Sequence, residues 1–198
     1  AYSKGLANDQ EVDDAVSGLT VDVASDPTAG PAFAPLGNNL TVALKTDGAN
    51  DELTVNLDAH DFGIGGNVGI LTVDDAETVN IDVEDKDGAA VPLADGPLMT
   101  IANLAAEDMT TLNLSGDGSN VTINATNGPT TPVLSTIDAS DATGDVTISN
   151  TNTAAGGATI TLGEGDDTFN VATSNGPDTF DLSQGGAERA GYLHARRW

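Results

Sequence analysis

Two D-T-F triplets stand 11 residues apart near the end of the chain, and each follows a glycine-containing turn. The first lies in LGEGDDTFN. There Gly163, Gly165, Asp167 and Phe169 occupy the second glycine, third glycine, aspartate and large apolar positions of the repeat G-G-x-G-x-D-x-U-x. Glycine permits turns with positive φ that aim backbone carbonyls at one point, and aspartate adds a charged oxygen ligand. These residue types in this order favour the binding of Ca²⁺.

The second copy, SNGPDTFD, supplies two equivalent positions. The sequence therefore predicts calcium ligands at Gly163, Gly165, Asp167, Gly176 and Asp178, with Asp166 as an additional ligand. The alternative is that both segments are Asp-Gly turns that hold no ion. The spacing of 11 residues, rather than nine, also leaves open whether the two turns share one ion.

Acidic residues dominate the composition. The 198 residues include 31 Asp and Glu against 6 Lys and Arg, a formal net charge of -25, and 24 of the acids are Asp. Such a chain is repelled by nucleic acid and by anionic membranes, so neither is an expected partner.

Cysteine is absent, which excludes disulfides and thiolate metal sites. The apolar runs are too short for a membrane span or a signal peptide, and the overall composition is typical of bacterial extracellular proteins.

Strand-like alternation recurs along the whole chain, whereas helical periodicity is almost absent. Apolar residues alternate with Thr, Asn and Asp, and turn residues separate the segments. The pattern predicts an all-β protein with about thirteen short strands, at 19–23, 40–44, 53–57, 70–75, 78–83, 99–104, 110–115, 121–124, 135–140, 146–149, 158–162, 167–171 and 178–182.

The second half of the chain contains an internal repeat. Residues 111–127 align without a gap with residues 136–152, and seven of the 17 positions are identical. Each copy holds two strand segments. A two-strand unit of this length is typical of one coil of a parallel β-solenoid, in which equivalent strands stack.

The solenoid makes a specific prediction about register. Val121 should stack on Val146, and Ile123 on Ile148, in parallel strands. A β-sandwich, whose strands also recur every 8–12 residues or so, is the alternative and would pair these strands antiparallel.

The sequence divides into three regions. Residues 98–186 carry the predicted solenoid repeats and end in the glycine-aspartate turns. Residues 1–97 are β-rich but irregularly spaced, which fits either a wider solenoid or a separate β-domain. Residues 187–198 contain all three arginines and the only tryptophan and lack the strand-turn pattern. This tail is interpreted as a cloning remnant, a shifted reading frame or a docking segment.

No other group of residues forms a convincing catalytic site. His60 lies between Asp58 and Asp61 and is interpreted as a loop histidine, because the chain has no G-x-S-x-G motif. Basic and aromatic residues are scarce before the tail, which disfavours a lyase or glycosidase, so the protein is not expected to be an enzyme. The repeat-loop aspartates are interpreted as solvated turn residues, with calcium binding as the alternative, at Asp117, Asp141 and Asp145.

The glycine-aspartate turns resemble the nonapeptides of RTX proteins that are exported by type I secretion. Residues 76–85 and 134–149 also resemble the β-solenoid repeats of calcium-dependent bacterial surface-layer proteins. The resemblance covers roughly residues 70–186. It implies a secreted protein whose coils are held by calcium and which assembles into a homo-oligomeric lattice at the bacterial cell surface, where a polysaccharide is a candidate further partner. The alternative function is an adhesin or calcium-binding module of a larger secreted RTX protein.

Overall fold

The computed structural model describes residues 2–4, 9–24, 39–58, 66–84, 98–116, 120–124, 133–173 and 176–183. These residues form fifteen β-strands. The strands are β1 Tyr2–Lys4, β2 Gln10–Ala15, β3 Leu19–Ala24, β4 Leu40–Leu44, β5 Glu52–Asp58, β6 Gly66–Asp74, β7 Thr78–Glu84, β8 Leu98–Ala105, β9 Thr111–Gly116, β10 Asn120–Ile123, β11 Thr136–Ala142, β12 Val146–Asn152, β13 Thr159–Thr161, β14 Thr168–Thr173 and β15 Thr179–Asp181.

The strands build two parallel sheets. Odd-numbered strands form an eight-stranded sheet and even-numbered strands form a seven-stranded sheet, so each strand pairs with the strand two positions further along the chain. The chain therefore changes sheet after every strand, and two strands complete one coil. This arrangement is a parallel β-solenoid and confirms the predicted fold class. Within the part of the chain that the structure describes, no helix is long and apolar enough to cross a bilayer.

The predicted register is confirmed. β10 pairs with β12 in parallel, with Val121 opposite Val146 and Ile123 opposite Ile148. The antiparallel pairing that a sandwich requires is absent from this part of the repeat. Because the same apolar residue type recurs at both positions, each side chain packs on a near-identical one in the next coil.

The gapless alignment of the repeat is wrong at two positions. It places Ser115 opposite Ser140 and Gly116 opposite Asp141, whereas the pairing of β9 with β11 shifts by one residue after Asp138. Ser115 therefore lies opposite Asp141, and Gly116 lies opposite Ala142. The shift is a β-bulge, in which one extra residue is inserted in a strand and the ladder is locally displaced. A comparison of the two repeat copies cannot detect the bulge, because the offset of 25 residues holds again where β10 pairs with β12.

Period-two alternation decides which side chains enter the core. Along β9, Leu112 and Leu114 are buried while their neighbours stay partly exposed. Leu112 is in register with Val79 in one adjoining coil and Ile137 in the other, and all three side chains are 0% exposed. Each such burial stabilises the fold by about 1.5–3 kcal/mol. Columns of this kind run through both sheets and make one continuous apolar cluster.

The strands before residue 97 belong to the same two sheets as the strands after it. β6 pairs with β8, and β7 pairs with β9. For the described residues of the first half, the pairing therefore favours the solenoid over a separate β-domain.

The alternation pattern did not predict two of the strands, β1 and β2. The side chains of β2 are mostly exposed, which explains why its sequence, QEVDDA, carries little apolar signal.

The chain crosses between the sheets at two edges of the solenoid. We name edge I the side where odd-numbered strands lead into even-numbered strands, and edge II the opposite side. At edge II the carbonyl oxygens of Asp51, Glu77 and Thr110 each accept two backbone N–H groups from the next coil, at 2.9–3.1 Å. Connectors of one type therefore stack directly on one another, and hydrogen bonds between their backbones hold adjoining coils in register.

Candidate metal centre at the solenoid edges

The two D-T-F triplets occupy equivalent positions in opposite sheets. Thr168 and Phe169 belong to β14, whereas Thr179 and Phe180 belong to β15. Both threonines are at least partly exposed, while the two phenyl rings meet inside the solenoid with their centroids 5.7 Å apart in an edge-to-face contact. The spacing of 11 residues is thus about half of one coil. This answers why the triplet recurs: each copy begins one of the two strands of the last coil.

The half-coil spacing places the two glycine-aspartate turns on opposite edges. The connector 162–167 joins β13 to β14 at edge I, whereas Gly176 and Asp178 precede β15 at edge II. The six predicted ligands therefore divide into two groups, with Gly163, Gly165, Asp166 and Asp167 at edge I and the remaining two at edge II. Because the two turns lie on opposite edges, one ion could not contact both of them.

Carboxylates cross-link adjoining coils at edge I. Asp145 Oδ1 accepts the N–H of Asp166 at 2.7 Å, and Asp167 Oδ1 accepts the N–H of Val146 at 2.9 Å. One coil earlier, Asn120 Oδ1 accepts the N–H of Asp145 at 2.8 Å. Each connector thus binds the next through a side-chain oxygen and a backbone amide. The sequence analysis interpreted Asp145 as a solvated turn residue, with calcium binding as the alternative, but it could not identify Asp166 as its partner, because that contact depends on the stacking of coils.

The two glycines of the edge I turn are required by close backbone approach. A Cβ on Gly163 would overlap the carbonyl oxygens of Ala139 and Ala142 in the preceding coil. Gly165 has a φ of 110°, and a Cβ there would lie 2.9 Å from both Asp145 Oδ1 and the carbonyl oxygen of Gly144. Several oxygen atoms of the earlier coil therefore face the backbone of this turn.

The environment of Asp167 disfavours its charge. The side chain is half-buried, and this burial is the largest cause that raises its pKa from the usual 3.8 to about 6. The N–H of Val146 opposes the shift by stabilising the carboxylate, whereas the charges of Asp145 and Asp166 add to it. A cation at this corner would remove the repulsion among the three carboxylates.

The oxygen donors at edge I suit calcium in their chemistry. Calcium accepts carboxylate and carbonyl oxygens and needs about six to eight of them. Among the described residues no group of three or more His, Cys, Asp or Glu side chains converges closely enough to hold an ion. Any ion at edge I must therefore combine carboxylates with the carbonyl oxygens that face the turn.

Edge II repeats the same bonding with different residues. Asp178 Oδ1 accepts the N–H of Ala158 at 2.9 Å, which matches the contact between Asp167 and Val146 at edge I. Gly176 packs against the backbone of Gly157 and lies close to the carbonyl oxygen of Ala155. The aspartate of each D-T-F triplet therefore ties the preceding coil to the start of its own strand.

The raised pKa of Asp167 predicts an inverse pH dependence of stability without calcium. A carboxyl group whose pKa is higher in the folded state stabilises the fold below its unfolded value near 3.8, and this contribution is lost as the pH rises through about 6. Asp167→Asn keeps the oxygen that accepts the N–H of Val146 but removes the charge. In chelator, we expect the urea midpoint of the variant to exceed that of the wild type at pH 7 and to match it at pH 4.

Asp166→Asn is the matched control, because it removes the same charge from an adjacent, exposed side chain. Its urea midpoint should change less than that of Asp167→Asn at pH 7. Equal changes in the two variants would show that general charge relief, and not the burial of Asp167, is the cause.

Isothermal titration should show that Asp167→Asn weakens calcium binding at edge I. Calcium binding at edge II should stay unaltered in this variant and should weaken only when Asp178 is replaced as well.

Several other residues that the sequence analysis singled out lie outside the described residues. These are His60, Asp61, Asp117 and the tail 187–198. Asp141 is described, and its exposed side chain lies on β11, opposite Ser115.

Comparisons of the chain with protein-family models, with curated proteins and with solved structures found no significant match.

Proposed function

We propose that this protein is a structural component of the bacterial cell surface that assembles with copies of itself into a calcium-dependent lattice. One observation carries the proposal: at edge I, the carboxylates of Asp145 and Asp167 and carbonyl oxygens of the preceding coil lie where the turn 163–167 packs against residues 139–146. An ion there would add to the hydrogen bonds that join the two coils at this edge. The resemblance to RTX-type surface-layer repeats supports the same function.

The charge distribution supports a requirement for cations. The chain carries 31 acidic residues against 6 basic ones, and the ion pair between Lys45 and Asp14, at 3.9 Å, joins two largely exposed side chains. Such an exposed pair contributes little stability. The excess of carboxylates produces repulsion within one molecule and between two molecules, and bound calcium would reduce both effects.

The residues of this chain would hold such an ion in a defined way. Asp167 and Asp145 would contribute charge, while the glycines permit the backbone approach that brings carbonyl oxygens of the earlier coil to the turn. When bound, calcium supplies positive charge that attracts the carboxylate and carbonyl oxygens of both coils. Because such a site exists only when the coils are stacked, calcium binding adds to the stability of the fold.

Electron microscopy of the purified protein with calcium tests the function directly. We expect ordered two-dimensional arrays or sheets in millimolar calcium and dispersed particles in chelator.

The second candidate function is an adhesin or calcium-binding module of a larger secreted protein, which would use the same calcium-held solenoid to bind a foreign partner. Dispersed monomers in both conditions, with calcium binding intact, would favour the adhesin and contradict the lattice.

A further inference from the structure

Two hydroxyl groups are enclosed in the apolar core near the end of β12. Thr151 and Thr153 are both 0% exposed and are the buried polar side chains among the described residues. Neither Oγ1 atom has a hydrogen-bond partner. A buried hydroxyl without a partner is destabilising, because it has lost its hydrogen bonds to water and gained none, so the pair requires an explanation.

Packing alone does not account for the hydroxyls. Thr151 lies three residues after Ile148, whose side chain is buried in the core, and Thr153 lies two residues further on. In β8 the same steps after Ile101 lead to Leu104 and Ala106, which are both buried and apolar. Valine has nearly the volume of threonine, so an apolar residue would fill the same space. The core of this coil differs from that of β8 by polarity at two neighbouring positions.

The backbone next to the hydroxyls is also irregular. The register between β12 and β14 shifts between Ile148 and Thr151, and shifts again between Thr151 and Asn152. A bulge sets its extra residue outside the regular ladder of hydrogen bonds. The register shifts and the two buried hydroxyls therefore fall in the same short segment, which ends at Thr153, of an otherwise apolar interior.

We infer that Thr151 and Thr153 form an internal water-binding site at the β12 bulge. A buried water bonds to about two to four polar groups, and the two hydroxyls with the neighbouring backbone can supply them. A cation fits poorly, because no charged side chain among the described residues is buried to compensate it. Water both donates and accepts hydrogen bonds, which matches hydroxyl groups that do the same. This inference does not depend on the proposed function.

Isosteric substitution combined with a direct count of internal waters tests the site. Oxygen-17 magnetic relaxation dispersion on the wild type should detect at least one long-lived internal water, and Thr151→Val/Thr153→Val should lose it. The matched control is Thr147→Val on the same strand, where the side chain is partly exposed, and it should keep the water.

The urea midpoint provides a second readout with opposite signs for the two explanations. If a water links the hydroxyls, the double valine variant loses those hydrogen bonds and its midpoint falls below that of the Thr147→Val control. If the hydroxyls are dry, valine relieves two unsatisfied groups and the midpoint rises. A raised midpoint, or an unchanged number of long-lived waters, would overturn the inference.

Discussion

Withdrawal of calcium is expected to dissociate the proposed assemblies and to remove a large part of the stability of the solenoid. At a calcium concentration of about 100 times the dissociation constant, one site stabilises the folded state by roughly 2.7 kcal/mol. Two sites, one at each edge, would contribute about 5 kcal/mol, which is comparable with the low end of domain stability, about 5–15 kcal/mol. The effect follows from linkage, since the ligands come together only in stacked coils.

Circular dichroism and light scattering measure the two parts of this effect. Millimolar calcium should give a strong β signal and large particles, and chelator should reduce both. Sodium chloride at matched ionic strength is the control, because it screens charge without offering a divalent ion to a set of oxygen ligands. A chelated protein that keeps its full β signal and its assemblies would contradict the prediction, and so would equal rescue by sodium.

A single methyl group at Gly163 is expected to destabilise the protein by roughly 3 kcal/mol, as overpacking of a closely packed site does. Gly163→Ala would place a Cβ against the carbonyl oxygens of Ala139 and Ala142, which belong to backbone and cannot rotate away. The coils must then separate at edge I, where Asp167 accepts the N–H of Val146. Urea unfolding in chelator measures the change without any contribution from calcium.

Gly156→Ala is the matched control, because no atom lies within 4 Å of the position that its Cβ would occupy. The two variants make the same chemical change within connectors of adjoining half-coils. The midpoint of Gly156→Ala should stay close to the wild type, while that of Gly163→Ala falls. Similar midpoints for both would show that the coils at edge I are not in the close contact described.

Most of the strands could be predicted because their signal is local. Along β9, for instance, Leu112 and Leu114 alternate with polar residues, and successive side chains of a strand point to opposite faces. The repeat then indicated that Val121 and Val146 stack, since identical residues recur at a constant separation. β2 was not predicted, because a mostly exposed strand needs few apolar residues.

The candidate site could be predicted only in part. Gly163 and Asp167 were identified from residue type and spacing, since glycine-aspartate turns have a recognisable pattern. Their partners in the preceding coil, Asp145 and the carbonyl groups of Ala139 and Ala142, come from other segments, and nothing in their own residue types marks them as partners.

The sequence by itself determined that the chain is all-β, which side chains point inward, and which turns carry glycine and aspartate. The physical reason is that alternation and turn chemistry are properties of adjacent residues. Only the tertiary structure decided that Asp167 and Asp178 lie on opposite edges, that Ser115 lies opposite Asp141, and that two threonine hydroxyls are enclosed in the core. These outcomes depend on the length of each coil and on bulges that shift its register, so they are set by contacts between residues about 20 or more positions apart.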